Sequence, residues 1–193
     1  MYNPVNQSDN NADKIVGRDD NSRNYHTYLD NNKNNGTKAI VDMYLKILEN
    51  SNNFLDDDTY HEVTESLLRY KSPKSDMKDL GTKLSEASRS DLVDEALELK
   101  EFTSKFITRY EASDSGQFIL VNILATIASN HRAYVIPAIA EGQSRSVIDA
   151  IIDTKVIGNT LNAIDGTGKS ITSDRMYGLM YFLAGNCHIK WTV

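Results

Sequence analysis

The sequence is poor in cysteine and has no excess of basic residues. A single cysteine among 193 residues cannot form an internal disulfide or a cysteine-rich metal site, which is typical of a reducing cytoplasm. The 21 basic and 27 acidic side chains give a net charge of -6, so we expect no basic face for phosphate backbones. Any contact with DNA should therefore be indirect, through a partner. The first residues also lack the basic start and apolar run of a signal peptide, and we expect a cytoplasmic protein.

Long hydrophobic runs are missing as well. The longest, residues 118 to 128, is shorter than the roughly 20 apolar residues that span a bilayer. Asn122 and Thr126 also interrupt it. We therefore expect no membrane partner, and we interpret this run as part of a central helix with almost no polar face.

The start of the chain differs in composition from the rest. The first 37 residues contain ten asparagines and too few large aliphatic side chains to offset the entropy of the chain by burial. We predict a disordered, flexible polar tail over residues 1–36 and a helical docking domain over residues 37–193. A short stretch of the tail could add a β-strand to the edge of a partner's sheet, although incidental hydrophobic residues in a solvated tail explain it equally well. This stretch consists of Ile15, Val16, Gly17, Arg18 and Asp19.

From Thr37 onward, apolar residues recur at helical spacing, and no convincing strand pattern occurs. The pattern predicts an all-α fold, a multi-helix bundle in which only a short C-terminal segment is extended. Pro137 should kink or restart the central helix, because proline lacks the N–H that an α-helix needs. Helices are predicted over residues 37–50, 57–70, 75–88, 90–110, 115–136, 144–161 and 173–185.

Capping residues and apolar stripes refine these predictions. Ser90 should cap the helix that follows it, and the four residues from Asp114 resemble a capping box. Ser173 should open the last helix, and Gly185 should end it. The helix after Ser90 should carry its apolar side chains in one stripe along its face. These residues are Leu92, Ala96, Leu99, Phe102, Phe106 and Tyr110.

The sequence shows no catalytic or metal-binding constellation. Residues 163–170 match a relaxed phosphate-loop pattern, but such a loop follows a buried strand, whereas a helical pattern precedes this one. The four histidines form no ligand pair, and one cysteine beside a histidine is not a nucleophile–base arrangement. We interpret Cys187 as a small buried side chain and His131 as a polar group that satisfies a helix contact. The sequence thus predicts a protein that is not an enzyme and uses no cofactor.

The most informative stretch is residues 177–193, where an apolar helical pattern runs into a cluster of unusual residues. It holds the only tryptophan and the only cysteine. Chain termini are poorly ordered unless they are tied down, so this placement predicts that the segment packs into the domain or a partner. The residues expected to form this structural or partner-binding hallmark are Gly185, Asn186, Cys187, His188, Lys190 and Trp191.

Three motifs carry a family resemblance. They are Tyr-Gly-Leu-Met-Tyr-Phe-Leu-Ala-Gly-Asn-Cys-His-Ile-Lys-Trp at 177–191, Pro-Ala-Ile-Ala-Glu-Gly-Gln-Ser at 137–144 and Lys-Ile-Val-Gly-Arg-Asp at 14–19. Together they resemble C-terminal domains of bacterial ABC-three-component conflict systems, relatives of the Lamassu defence systems. The resemblance implies a helical domain that docks an effector onto an SMC-like ABC ATPase with a middle subunit. It also implies that the ATPase senses DNA or phage.

Three functional hypotheses follow. The first is a noncatalytic adaptor or regulatory subunit of an antiphage defence complex built on the SMC-like ABC ATPase. The second is a small effector or toxin that the complex releases. The third is a nucleic-acid-binding regulator, which the charge balance disfavours. Homo-oligomer formation is compatible with each.

Overall fold

The computed structural model describes residues 57–73, 78–164 and 171–192. In these ranges the chain is helical and contains no strand, which confirms the predicted all-α fold. The predicted tail at 1–36 and the predicted helix at 37–50 lie outside the described residues. The described helices are α1 (Asp57–Lys71), α2 (Leu80–Glu86), α3 (Val93–Glu111), α4 (Asp114–Asn130), α5 (Ile136–Ala140), α6 (Arg145–Ile151), α7 (Asn159–Ile164) and α8 (Ser173–Gly185), with a 3-10 turn at Ser90–Leu92 and π-helical segments at His131–Val135 and Ile152–Gly158.

Helix α4 forms the centre of the bundle. It contacts α1, α3 and α8, and its side chains Leu120, Leu124 and Ile127 are fully buried. Helix α4 continues through the first π-helical segment and α5 to Ala140, which gives a continuous helix of 27 residues. By length and composition alone, this helix is apolar enough to cross a membrane. Its contacts in this domain are those of a core helix, and burying so many apolar side chains stabilises the fold.

The start of α4 differs by one residue from the predicted capping box. Ser113, with an extended backbone, is the N-cap, and its Oγ accepts a hydrogen bond from the N–H of Gly116 at 3.2 Å. Gln117 therefore lies one position beyond the third helical residue, where a capping box needs its Glu or Gln. Its amide instead donates to the carbonyl oxygen of Glu111 at 3.0 Å. This bond ties the start of α4 to the end of α3.

Pro137 restarts the helix, as predicted. It lies in the first turn of α5, directly after the π-helical segment His131–Val135. Proline donates no N–H to the preceding turn, and its ring crowds the carbonyl group four residues earlier. The wider π-helical turn accommodates both effects. Gly142 then ends this helix in the left-handed conformation, with φ of 68°.

Helix α2 is shorter than predicted. Asp79 is its N-cap, and its carboxylate accepts hydrogen bonds from the Thr82 N–H at 2.9 Å and the Thr82 Oγ1 at 2.6 Å. These bonds hold the pKa of the Asp79 carboxyl below its usual value. Part of the predicted start, residues 75–77, lies outside the described residues.

The stripe predicted for α3 is rotated relative to the buried face. Ser90 begins a 3-10 turn instead of capping the α-helix, and no side chain caps α3. Thr103 is fully buried, whereas Phe102 is 47% exposed. Helix α8 lies so close to α3 that only a small side chain, such as that of Thr103, fits between them. Phe102 packs instead against Arg175, whose Cζ lies 3.7 Å from the ring centroid.

Helices α3 and α8 cross in very close contact. Helix α8 spans Ser173–Gly185, with the predicted ends, and most of it is buried. At its Gly178, an added Cβ would lie 2.5 Å from the carbonyl oxygen of Leu99 and closer still to Thr103 Oγ1. Only a residue without a side chain allows this approach. The crossing therefore fixes the position of α8 and of the C-terminal residues that follow it.

Replacement of Gly178 by alanine should weaken the fold. We expect Gly178→Ala to lower the free energy of unfolding by on the order of 3 kcal/mol, because the methyl group must push two packed backbones apart. Urea denaturation followed by circular dichroism measures this change. Ser104→Ala, on the exposed side of α3, is the control and should change stability by no more than about 0.5 kcal/mol. Equal stability of both variants would contradict the close crossing.

Candidate functional site

Asn186 ties the end of α8 to the end of α1. It is the C-cap of α8, and its side-chain amide donates to the carbonyl oxygens of Tyr70 at 3.0 Å and Lys71 at 3.4 Å. Carbonyl groups in the last turn of a helix have no partner inside the helix, so this amide satisfies two of them in α1. The cluster predicted at residues 185–191 thus begins with a hydrogen-bonded connection between α8 and α1.

Cys187 follows in a left-handed backbone conformation, with φ of 61°. Its N–H donates to the carbonyl oxygen of Ala184 at 3.1 Å, and the N–H of His188 donates to that of Leu183 at 2.8 Å. This pair of bonds defines a Schellman end of a helix, a position that usually holds glycine because side chains strain the backbone there. Contacts with neighbouring residues hold Cys187 in this strained backbone conformation.

Lys83 of α2 is the main neighbour of this turn. Its Nζ donates to the carbonyl oxygens of Ala184 at 2.7 Å and Gly185 at 3.1 Å, and to Cys187 Sγ at 2.9 Å. An ammonium group is favourable at the negative end of a helix dipole. Cys187 is therefore a half-buried thiol beside a cation, and the prediction of a small buried hydrophobic side chain is corrected.

Trp191 is the aromatic centre of the segment and is only 6% exposed. Its ring stacks on Tyr181, with centroids 6.3 Å apart, and meets His131 edge-on at 5.9 Å. The guanidinium of Arg89 lies over the ring, with Cζ 5.1 Å from the centroid. The indole Nε1 is buried and has no hydrogen-bond partner among the described residues.

The other predicted site residues divide between core and surface. Gly185 is buried, and the ring of His188 packs edge-on against Tyr70 with centroids 5.3 Å apart. Lys190 is exposed. The predicted tail-docking residues 15–19 lie outside the described part of the chain, so that hypothesis stays a prediction.

A chain of ion pairs beside Trp191 was not predicted. Arg89 is 4% exposed and pairs with Asp149, which also meets Nε of Arg145 at 3.5 Å. Arg145 binds Asp91 through two hydrogen bonds, of 2.7 and 2.6 Å. The hydrogen bond from Arg145 lowers the pKa of the Asp91 carboxyl. Arg89 and Asp149 stand 60 positions apart, so no local pattern in the sequence reveals this pair.

Two clefts meet at Arg89 and Trp191. The larger has a volume of about 550 Å³ and lies between the end of α2 and the turn after α5. The smaller, of about 300 Å³, lies toward α8 and is lined by Tyr177, Tyr181, Glu95 and Asp149. A buried aromatic residue beside an arginine, at the edge of an open cleft, is a composition typical of protein–protein binding sites.

His131 is buried beneath this arrangement and only 1% exposed. Burial lowers the pKa of its imidazole to about 4, because the charged form loses its hydration. Its Nε2 has no hydrogen-bond partner among the described residues. The ring therefore acts as a packing surface for Trp191 rather than as the polar helix contact that we predicted.

The described residues contain no group of three histidine, cysteine or acidic side chains that could hold a metal ion. Most of the phosphate-loop-like stretch at 163–170 lies outside them, so our interpretation of that stretch stays a prediction. The site offers a rigid aromatic centre, paired charges and open clefts. These features suit the binding of a partner.

A family model matches residues 79–191, more than half of the chain. Its description is C-terminal domain 9 of the ABC-three component (ABC-3C) systems. The match begins at Asp79, the N-cap of α2, and ends at Trp191. Helix α1 lies outside it, although its Leu67 and Tyr70 belong to the hydrophobic core. Searches of curated proteins and of solved structures gave no match.

Loss of the Trp191 ring should destabilise the isolated domain. Trp191→Ala is expected to cost about 3 to 5 kcal/mol, the usual range for a large aromatic side chain removed from a core. Lys190→Ala, at the exposed neighbour, is the control and should cost at most about 0.5 kcal/mol. Chemical denaturation of both variants measures the difference. An unchanged Trp191→Ala protein would mean that the ring contributes nothing to the core.

Acid should weaken the fold through His131. The unfolded chain takes up a proton at a pKa near 6.5, whereas the folded imidazole does so only at about 4. As the pH falls from 7 to 4, this difference should remove about 3 kcal/mol from the free energy of unfolding. His131→Phe should lose that part of the pH dependence, whereas His61→Asn, at an exposed histidine, should keep it. Urea denaturation across this pH range tests the prediction, and identical pH profiles for both variants would contradict it.

Proposed function

This chain belongs to the family of C-terminal domain 9 of the ABC-three component systems, and from that premise we propose that it is a noncatalytic adaptor or regulatory subunit. Membership in a multi-component system implies partner subunits. In our proposal these are an SMC-like ABC ATPase and a middle subunit, and the complex acts in the cytoplasm against phage, as in the related Lamassu systems. The ATPase contacts DNA, so the adaptor meets DNA only indirectly and needs no cofactor.

One observation carries this proposal: the family match covers most of the bundle core and ends at the buried Trp191. The match runs from Asp79, the exposed N-cap of α2, to Trp191, which packs into the core. The segment after α8 therefore supports the domain, and the surface beside it stays open to a partner. A rigid surface that exists before binding suits an adaptor, because little conformational freedom is lost on association.

Co-purification tests the proposal. The full chain would be co-expressed with an SMC-like ABC ATPase and a middle subunit of its system, and analysed by size-exclusion chromatography with light scattering. We expect the three proteins to elute as one complex. Elution of this chain alone, while the other two associate with each other, would overturn the adaptor function. Toxicity of the chain expressed without its partners would also count against it and favour an effector.

A further inference from the structure

The larger of the two clefts is formed by three separate parts of the chain. It has a volume of about 550 Å³, within the roughly 300 to 1,000 Å³ of typical binding sites. The end of α2 and the residues after it form one wall, α5 and the start of α6 with the turn between them form another, and the C-terminal segment closes the third side. Its apolar lining residues are Ala87, Ile139, Ala140, Ile148 and Trp191.

One hydrogen-bond donor at this cleft has unused capacity. Trp191 lines the cleft, but its Nε1, which has no acceptor among the described residues, is itself buried, so its ring offers a packing surface only. Arg89 also lines it and is 4% exposed, and it donates one hydrogen bond within the described residues, to Asp149. A guanidinium has five N–H donors, so it can bind a further acceptor. The Arg89 guanidinium therefore calls for an oxygen acceptor from outside.

The charges that line the cleft favour an anionic acceptor. They belong to Arg89, Arg145 and Glu86, and Glu86 is paired with Lys78. The carboxylates that pair with the two arginines do not line this cleft. The smaller cleft is different: Arg89 lines it as well, but together with the carboxylates of Glu95 and Asp149, which would repel a carboxylate ligand. Charge therefore distinguishes the two clefts.

We propose that the larger cleft binds a short peptide segment of a partner subunit in which a carboxylate stands next to an apolar side chain. The carboxylate accepts hydrogen bonds from the Arg89 guanidinium beside the Trp191 ring, and such bonds are strong when the acceptor is charged. The apolar side chain packs on Ile139 and Ile148. This inference rests on the proposed function, because the segment belongs to a subunit of the same system.

N-acetyl-leucine is a suitable probe, because it carries one carboxylate beside one branched apolar side chain. Its neutral counterpart, N-acetyl-leucinamide, has nearly the same shape. Trp191 is the only tryptophan, so the full chain labelled with nitrogen-15 gives a single indole N–H signal. We expect N-acetyl-leucine to shift that signal saturably, with a Kd on the order of a few millimolar for a ligand of this size. The amide should bind at least about tenfold more weakly.

Two matched variants locate the binding site. Ala140 lines the cleft and is exposed, so Ala140→Phe fills the cleft without disturbing the core. Ala133 is exposed as well and does not line the cleft, so Ala133→Phe is the control. Ala140→Phe should weaken binding of N-acetyl-leucine at least about tenfold, whereas Ala133→Phe should not change it. Equal shifts with the acid and the amide, or unchanged binding by Ala140→Phe, would overturn the proposal.

The same variants separate this inference from the proposed function. With purified ATPase and middle subunit, Ala140→Phe should fail to capture a partner that Ala133→Phe captures. If both variants capture it, the cleft assignment is wrong and the adaptor function stands. If the unaltered chain captures neither subunit, the adaptor function and the partner segment fail together, whatever the probe does.

Discussion

The close crossing of α3 and α8 at Gly178 is the constraint on which the rest of the structure depends. Because no side chain separates the two backbones there, α8 lies deep in the bundle and its end reaches the ends of α1 and α2. Asn186 can then satisfy carbonyl groups at the end of α1, and Lys83 of α2 can satisfy those at the end of α8. A wider crossing would move this joint outward and take Trp191 away from its aromatic neighbours.

Trp191 in turn organises the surface beside it. Its ring and Asp149 together hold Arg89, so a guanidinium that is almost completely buried forms the border between two clefts. Arg145 extends the ion pairs to Asp91 at the rim. Charged groups held in place before binding give specificity, because a partner must match both their positions and their signs. The two clefts thus offer different recognition surfaces within a short distance of each other.

The helices could be predicted from the sequence because the apolar residues that define them repeat locally. Gly185 ends α8 and Pro137 restarts a helix where expected, since both depend on the backbone of nearby residues. The buried face of α3 could not be predicted, because the exclusion of Phe102 and the burial of Thr103 depend on Gly178, far along the chain. The clefts were missed for the same reason, since their walls come from distant segments.

The burial of Trp191 also constrains the timing of folding during synthesis. Domains tend to fold as units while the chain leaves the ribosome. In this domain the central helix α4 is made early, yet the last part of its packing arrives with α8 and the residues that follow it. Helices α1 and α3 can cover part of α4 at once, but the part that packs on α8 stays uncovered until α8 has emerged from the exit tunnel.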